Sequence, residues 1–214
     1  TISDNTITSG KDKGIAINSV KCKMTISGNT IKKCKAYPIY CNPASTSYAI
    51  TLKKNIITGN SKKIDGIRAD SGKLILSSNT ISSCSRAIIL SSKVKGTVYP
   101  NTFKKNTYNN VKVNSSYVNT LTVKSLSGKS KSAKTATLNW KKLSSASGYV
   151  VYRSASKNGS YTKISTIKKN KTITYKDSKL KRKSTYYYKI VPYTTIGKTT
   201  VYGLDSKIVS IKIK

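Results

Sequence analysis

The 214-residue sequence contains no histidine, no glutamate and no glutamine. Its only acids are Asp4, Asp12, Asp65, Asp70, Asp177 and Asp205, and arginine occurs only at Arg68, Arg86, Arg153 and Arg182. Each scarcity excludes something. Without His or Glu, a general acid working near neutral pH has to be an aspartate with a strongly shifted pKa, and a serine nucleophile lacks its usual base. Cys/His metal centres lose half of their donor set. Fork-like phosphate recognition draws on arginine, so specific nucleic-acid binding is not expected. No apolar run approaches the ~18 residues of a membrane span. The chain starts at Thr1, inside a repeated motif and without a signal peptide, so a longer parent is expected.

Lysine dominates what is present: 41 Lys plus Arg against six acids give a formal charge of +35. Such a surface attracts anionic polymers by general electrostatics. Lys, Asn, Ile, Ser, Thr and Tyr prevail throughout, as AT-rich codons would produce, so part of the charge is compositional.

A heptapeptide recurs along the first half: TISDNTI at 1–7, TISGNTI at 25–31, TLKKNII at 51–57, ILSSNTI at 75–81 and TVYPNTF at 97–103. Its asparagines, Asn5, Asn29, Asn55, Asn79 and Asn101, are spaced 24, 26, 24 and 22 residues apart. An apolar residue precedes each by three positions (Ile2, Ile26, Leu52, Leu76, Val98), and another follows by two (Ile7, Ile31, Ile57, Ile81, Phe103). A further alternating pair follows: Ile15 and Ile17, Ile39 and Cys41, Ile67 and Ala69, Ile88 and Leu90, Val111 and Val113. Alternation of period two predicts short half-buried strands, and no 3.6-residue periodicity intervenes. Strands returning at this interval predict a solenoid in which each turn stacks on the last. With turns about 4.8 Å apart, the asparagines are expected to form a ladder at one corner, amide to amide, and to satisfy turn backbone. The repeat resembles the right-handed parallel β-helix of pectate-lyase-like proteins, over residues 1–116 and about five coils.

The cysteines are read as free. Cys34 and Cys84 share a corner slot two coils apart, about 9.6 Å by strand spacing, beyond the ~7 Å Cα limit for a disulfide. Cys41 takes an inward strand slot, and Cys22 lies four residues before Ile26. Buried thiols acting as small hydrophobes are expected; a Cys22–Cys41 bridge is the pairing left open.

Near residue 117 the period stops. After a linker at 117–120, strands are predicted at 121–126, 135–140, 148–153, 161–167, 172–176, 185–193 and 207–213, separated by Gly, Ser, Asn and Lys turns. This predicts a seven-stranded antiparallel sandwich over 121–214, with Trp140 in its core. LKRKSTYYYKIV at 180–191 and GYVVYRSASKNGSYTKI at 148–164 resemble a fibronectin type III domain of the kind found in extracellular proteins of low-GC Gram-positive bacteria. The resemblance implies that Tyr186 is the tyrosine corner, its hydroxyl tied to upstream backbone.

The β-helix resemblance also implies chemistry to look for. Lyases of that class use carboxylate-bound calcium with an Arg or Lys base, and its hydrolases use clustered aspartates. Here Asp65 and Asp70 are five residues apart, ~17 Å along a strand. Asp12 and Asp65 are two coils apart, about 10 Å and just outside the 6.5–9.5 Å of an inverting pair. The candidate catalytic residues are therefore Asp65, Arg68 and Asp12. No cofactor is expected; calcium is the ion the resemblance admits, but four scattered aspartates are few for its 6–8 oxygens.

The expectation is a secreted or cell-surface, non-catalytic module of a larger protein. It would bind or adhere to polysaccharide or to anionic cell-wall or host polymers, with Tyr37, Tyr40 and Tyr48 as candidate ligand-binding residues and Tyr99 and Tyr108 as further rings on the same long surface. A polysaccharide lyase or glycoside hydrolase is the alternative. An upstream segment or a neighbouring chain is expected to cover the first coil, whose apolar core and strand edges would otherwise be open.

Overall fold

The computed structural model describes residues 1–8, 10, 12–18, 22–43, 45–60 and 63–214. It divides into two units: Thr1–Asn119 with Thr195–Val201, and Thr120–Thr194 with Tyr202–Lys214.

The first unit is a parallel β-solenoid with three faces, each carrying five strands that stack from turn to turn. Face one holds β1 (Ile2–Ser3), β4 (Met24–Ser27), β7 (Ala49–Lys53), β10 (Gly72–Ser77) and β13 (Val94–Val98). Face two holds β2 (Thr6–Thr8), β5 (Thr30–Lys32), β8 (Ile56–Thr58), β11 (Thr80–Ser82) and β14 (Thr102–Lys104). Face three holds β3 (Ile15–Asn18), β6 (Ile39–Asn42), β9 (Ile67–Ala69), β12 (Arg86–Leu90) and β15 (Tyr108–Val113), followed by the antiparallel β16 (Ser116–Val118). Between Asn5 and Asn101 the chain completes four turns.

Register follows the apolar alternation. Ile2, Ile26, Leu52, Leu76 and Val98 are paired in sequence on face one, and Ile7, Ile31, Ile57, Ile81 and Phe103 on face two. A one-residue slip would turn every one of these side chains outward, so burial fixes the stack. Ile26, Ile31, Leu52, Ile57, Leu76 and Ile81 are fully buried, whereas Ile2 and Ile7 on the first turn are only partly so.

The asparagines run along the corner between faces one and two. Asn5 Nδ2 donates to Asn29 Oδ1 (3.0 Å), Asn29 to Asn55 (3.0 Å), Asn55 to Asn79 (2.9 Å) and Asn79 to Asn101 (2.9 Å). Each acceptor oxygen also takes the backbone N–H of the preceding asparagine. The residue before the asparagine is left-handed in four turns: Asp4, Gly28, Lys54 and Ser78 have φ of 57°, 67°, 56° and 56°. Only Gly28 is the residue type that takes this conformation freely. A second amide, Asn106, sits in the slot of Cys34 and Cys84; its Oδ1 accepts from Cys84 N–H (2.9 Å) and its Nδ2 donates to Ile81 O (2.9 Å).

All four cysteines are free. Cys34, Cys41 and Cys84 are buried, but Cys22 is exposed, against the expectation of a buried thiol. It precedes β4 and lies outside the alternation that turns side chains inward.

The second unit packs a three-stranded sheet, β17 (Ser127–Lys129), β18 (Ala136–Asn139) and β21 (Thr174–Asp177), against a four-stranded one. The latter runs β20 (Thr162–Ile167), β19 (Gly148–Ser154), β22 (Thr185–Ile196) and β24 (Val209–Lys212), all neighbours antiparallel. Between them lie Leu138, Trp140, Tyr149, Val151, Tyr188, Ile190 and Ile211. This is the fibronectin type III-like sandwich. Tyr186 Oη accepts the Lys181 backbone N–H at 3.3 Å, five residues upstream. Trp140 is buried and meets Tyr149 edge-on, ring centroids 5.3 Å apart.

Two strand assignments need correcting. Residues 121–126 are not a strand: Leu121 and Val123 do turn inward, but only Thr122 bridges, to Leu204. Ser125, with φ of 63°, breaks the extended chain, and pairing begins at Ser127. Conversely, β23 (Thr199–Tyr202) was not anticipated. Its Thr200 and Val201 extend face one by pairing with Thr97 and Val98, a partner about a hundred residues away that no local pattern announces.

Candidate functional site

Alternation fixes which side chains leave the solenoid. On face three, the residue between each inward pair must point outward, and the register aligns Ala16, Tyr40, Arg68, Ile89, Lys112 and Tyr117 across successive strands. Two aromatic and cationic clusters are built on this column.

The first centres on Tyr37 and Tyr40, whose rings stack with centroids 5.9 Å apart and an interplanar angle of 23°. Arg68 lies over the Tyr37 ring at 5.2 Å, donates Nη1 to Tyr37 Oη (3.2 Å) and donates Nε to Asp70 Oδ1 (3.1 Å). Tyr40 Oη donates to the other Asp70 oxygen (2.9 Å). That hydrogen bond, and then burial, push the Tyr40 phenol up. Lys13 stands over the Tyr40 ring at 5.5 Å and pairs with Asp12 (2.7 Å). The result is a pair of ring faces held in place by a charge-balanced network, with Arg68 about one-third exposed.

In the second, Arg86 lies 5.6 Å over Tyr108 and Lys112 lies 5.4 Å over Tyr117, with those two rings 6.3 Å apart. Asp65 is buried beside Arg86, 3.7 Å from its Nη1. Burial raises the Asp65 carboxyl above its ordinary value, against the opposing pull of the Arg86 guanidinium and its backbone N–H.

The three catalytic candidates each meet a different partner. Arg68 is paired with Asp70, because residues two apart on a strand share a face, and Asp65 is paired with Arg86 from the next turn. Asp12 is held by its neighbour Lys13. Each carboxylate meets a different cation. Of the ring candidates, Tyr37 and Tyr40 come together, while Tyr48 is exposed beside β7 on face one. Asp70, Lys13, Arg86, Lys112 and Tyr117 were not singled out from sequence. Reading the residue between each inward pair would have found Lys112.

Residues 1–137 match the protein family described as periplasmic copper-binding protein (NosD). The chain belongs to the NosD family. Among solved structures it is similar to an Fn3-like protein from Clostridium thermocellum, at 29% identity over 42% of this chain and 88% of that one, with a TM-score of 0.37. It is also similar to the chicken CNTN1 FN1–FN3 domains, at 17% identity over 49% of this chain and 35% of that one, with a TM-score of 0.39. No curated protein matches the chain.

The copper of the NosD description does not fit the residues present. Copper sites draw on imidazole, thiolate and thioether donors; this NosD-family chain has no His and one Met. Burial pushes the Cys41 and Cys84 thiols up to about 12, against thiolate formation. Among the described residues no three of His, Cys, Asp and Glu gather into a metal-holding group. Residues 9, 11, 19–21, 44, 61 and 62 are Ser, Lys, Val and Ala and add no such donor.

Proposed function

We propose that this NosD-family chain is a non-catalytic surface module that binds carbohydrate on face three of its solenoid. The observation carrying this is the Tyr37–Tyr40 ring pair clamped by Arg68 and Asp70. Sugar rings present an apolar face that stacks on aromatic rings and a rim of hydroxyls that takes charge-assisted hydrogen bonds. Fixing the rings beforehand lowers the ordering cost of binding. Charge balance in this cluster separates it from the lysine-rich remainder, whose +35 supplies a second, unspecific attraction to anionic wall polymers. A location outside the cytoplasm, secreted or wall-associated, accords with the periplasmic description of the family.

Salt distinguishes the two modes. Calorimetric titration with cell-wall and host polysaccharides at 0.05 and at about 1 M NaCl, where the screening length is about 3 Å, should show binding that survives the higher salt. Tyr40→Ala should weaken it by roughly tenfold, the loss of about one aromatic contact. Binding that collapses at high salt and ignores Tyr40→Ala would leave only charge-driven adhesion.

A further inference from the structure

The geometry points to an acidic-sugar subsite in the second cluster of face three, taking a sugar that carries both a carboxylate and a hydroxyl. This rests on the carbohydrate reading above and extends it. The first cluster is charge-balanced, whereas the second sets Arg86 and Lys112 against Asp65 alone. Its rings are open to a ligand: Tyr108 and Tyr117 are 47% and 49% exposed.

The decisive feature is the buried contact of Asp65 with Arg86. Asp65 is only 8% exposed, yet its Oδ1 has no hydrogen-bond partner among the described residues, and neither has the buried Nε of Arg86. At 3.7 Å their contact is an ion pair without a hydrogen bond. An acceptor and a donor left without partners in a buried place are each unfavourable, so a ligand that satisfies both once the partly exposed Arg86 side chain turns aside is favoured. A hydroxyl donates to Asp65 while an acid group accepts from Arg86 and neutralises the surplus charge shared with Lys112. A neutral sugar leaves that charge unmet. An anion without hydroxyls leaves the Asp65 Oδ1 without a donor and is repelled by it.

Tyr40 and Tyr117 lie four strand steps apart, about 19 Å by strand spacing. A polymer running along the solenoid axis therefore reaches both clusters, with a neutral sugar over the first and an acidic one over the second. A polymer alternating acidic and neutral sugars meets this requirement.

Hyaluronan, which alternates glucuronate with N-acetylglucosamine, and its carboxyl-reduced form are the probes, titrated in about 1 M NaCl to screen diffuse attraction. The native polymer should bind about tenfold more tightly than the reduced one, as one charge-assisted contact implies. Lys112→Ala should bring that ratio towards one, while Lys95→Ala, an exposed lysine of face one, should leave it unchanged. Tyr40→Ala should weaken both forms alike. Equal binding of the two forms by the unaltered protein, or a preference that persists in Lys112→Ala, overturns the subsite and leaves the carbohydrate reading standing. Failure of both forms to bind overturns both.

Discussion

Replacing Asn55 with alanine tests the solenoid at its centre. Asn55 is fully buried and makes four side-chain hydrogen bonds. Its Nδ2 donates to Ile26 O (2.9 Å) and Asn79 Oδ1 (2.9 Å), and its Oδ1 accepts from Asn29 N–H (3.1 Å) and Asn29 Nδ2 (3.0 Å). Asn29 Nδ2 has other acceptors, at Ile2 and Ser27, and Asn79 Oδ1 keeps the Asn55 N–H. The group left without a partner is the Asn29 backbone N–H; the Ile26 carbonyl loses this bond but keeps its place in the ladder between β4 and β7. At about 1–3 kcal/mol for a buried orphan and about 1 kcal/mol for the bond lost at the Ile26 carbonyl, Asn55→Ala should destabilise the solenoid by roughly 3 kcal/mol. Asn5 is exposed and at the first turn, so Asn5→Ala should cost about 1 kcal/mol. The assay is urea unfolding followed by far-ultraviolet circular dichroism, with hydrogen exchange across Ala49–Thr58 to place the transition in this unit. Equal losses for the two variants, or a loss under about 1 kcal/mol at Asn55, would show that the stacked apolar columns hold the turns together without the amides.

Three further outcomes follow from the same structure. In native protein at pH 8, a thiol reagent should label Cys22 alone, with Cys34, Cys41 and Cys84 reacting only on unfolding; rapid labelling of two or more thiols contradicts the burial. Because the folded state raises the Asp65 pKa, it holds that proton more tightly than the unfolded chain. Stability relative to Asp65→Asn should therefore fall as pH rises from the ordinary carboxylate range through the raised value, and parallel urea midpoints at pH 3.5 and 7 that show no such trend would refute it. Tyr188→Phe removes the hydroxyl that donates to Asp177 at 2.9 Å in a buried network with Arg153, and should cost about 1–3 kcal/mol, read from Trp140 fluorescence during unfolding.

The solenoid was legible because its signal is repeated. Ile26, Leu52, Leu76 and Val98 each state the same inward slot, so a misreading at one turn is corrected at the next. The corners were less so: Asp4, Lys54 and Ser78 take a left-handed backbone that their side chains do not advertise. In the sandwich, the alternation at 121–126 correctly marked Leu121 and Val123 as buried but carried no information about hydrogen-bond partners. The aromatic candidates were half legible. Tyr37 precedes its strand and reaches Arg68 across 31 residues, and Arg86 meets Asp65 across a turn boundary. Such contacts depend on how one turn overlies another, which spacing alone does not give.

The amide seam has a direction. Every side-chain NH2 from Asn5 to Asn79 points towards the later turn and every carbonyl oxygen towards the earlier one, so the individual dipoles add instead of cancelling. One extremity presents an acceptor and the other a donor. Any polypeptide prolonging the stack beyond Asn5 must offer an NH2 there, which permits head-to-tail joining of like turns and disfavours head-to-head contact. Polarity of this kind makes duplication of a whole turn, in unchanged orientation, the natural way for such a molecule to lengthen.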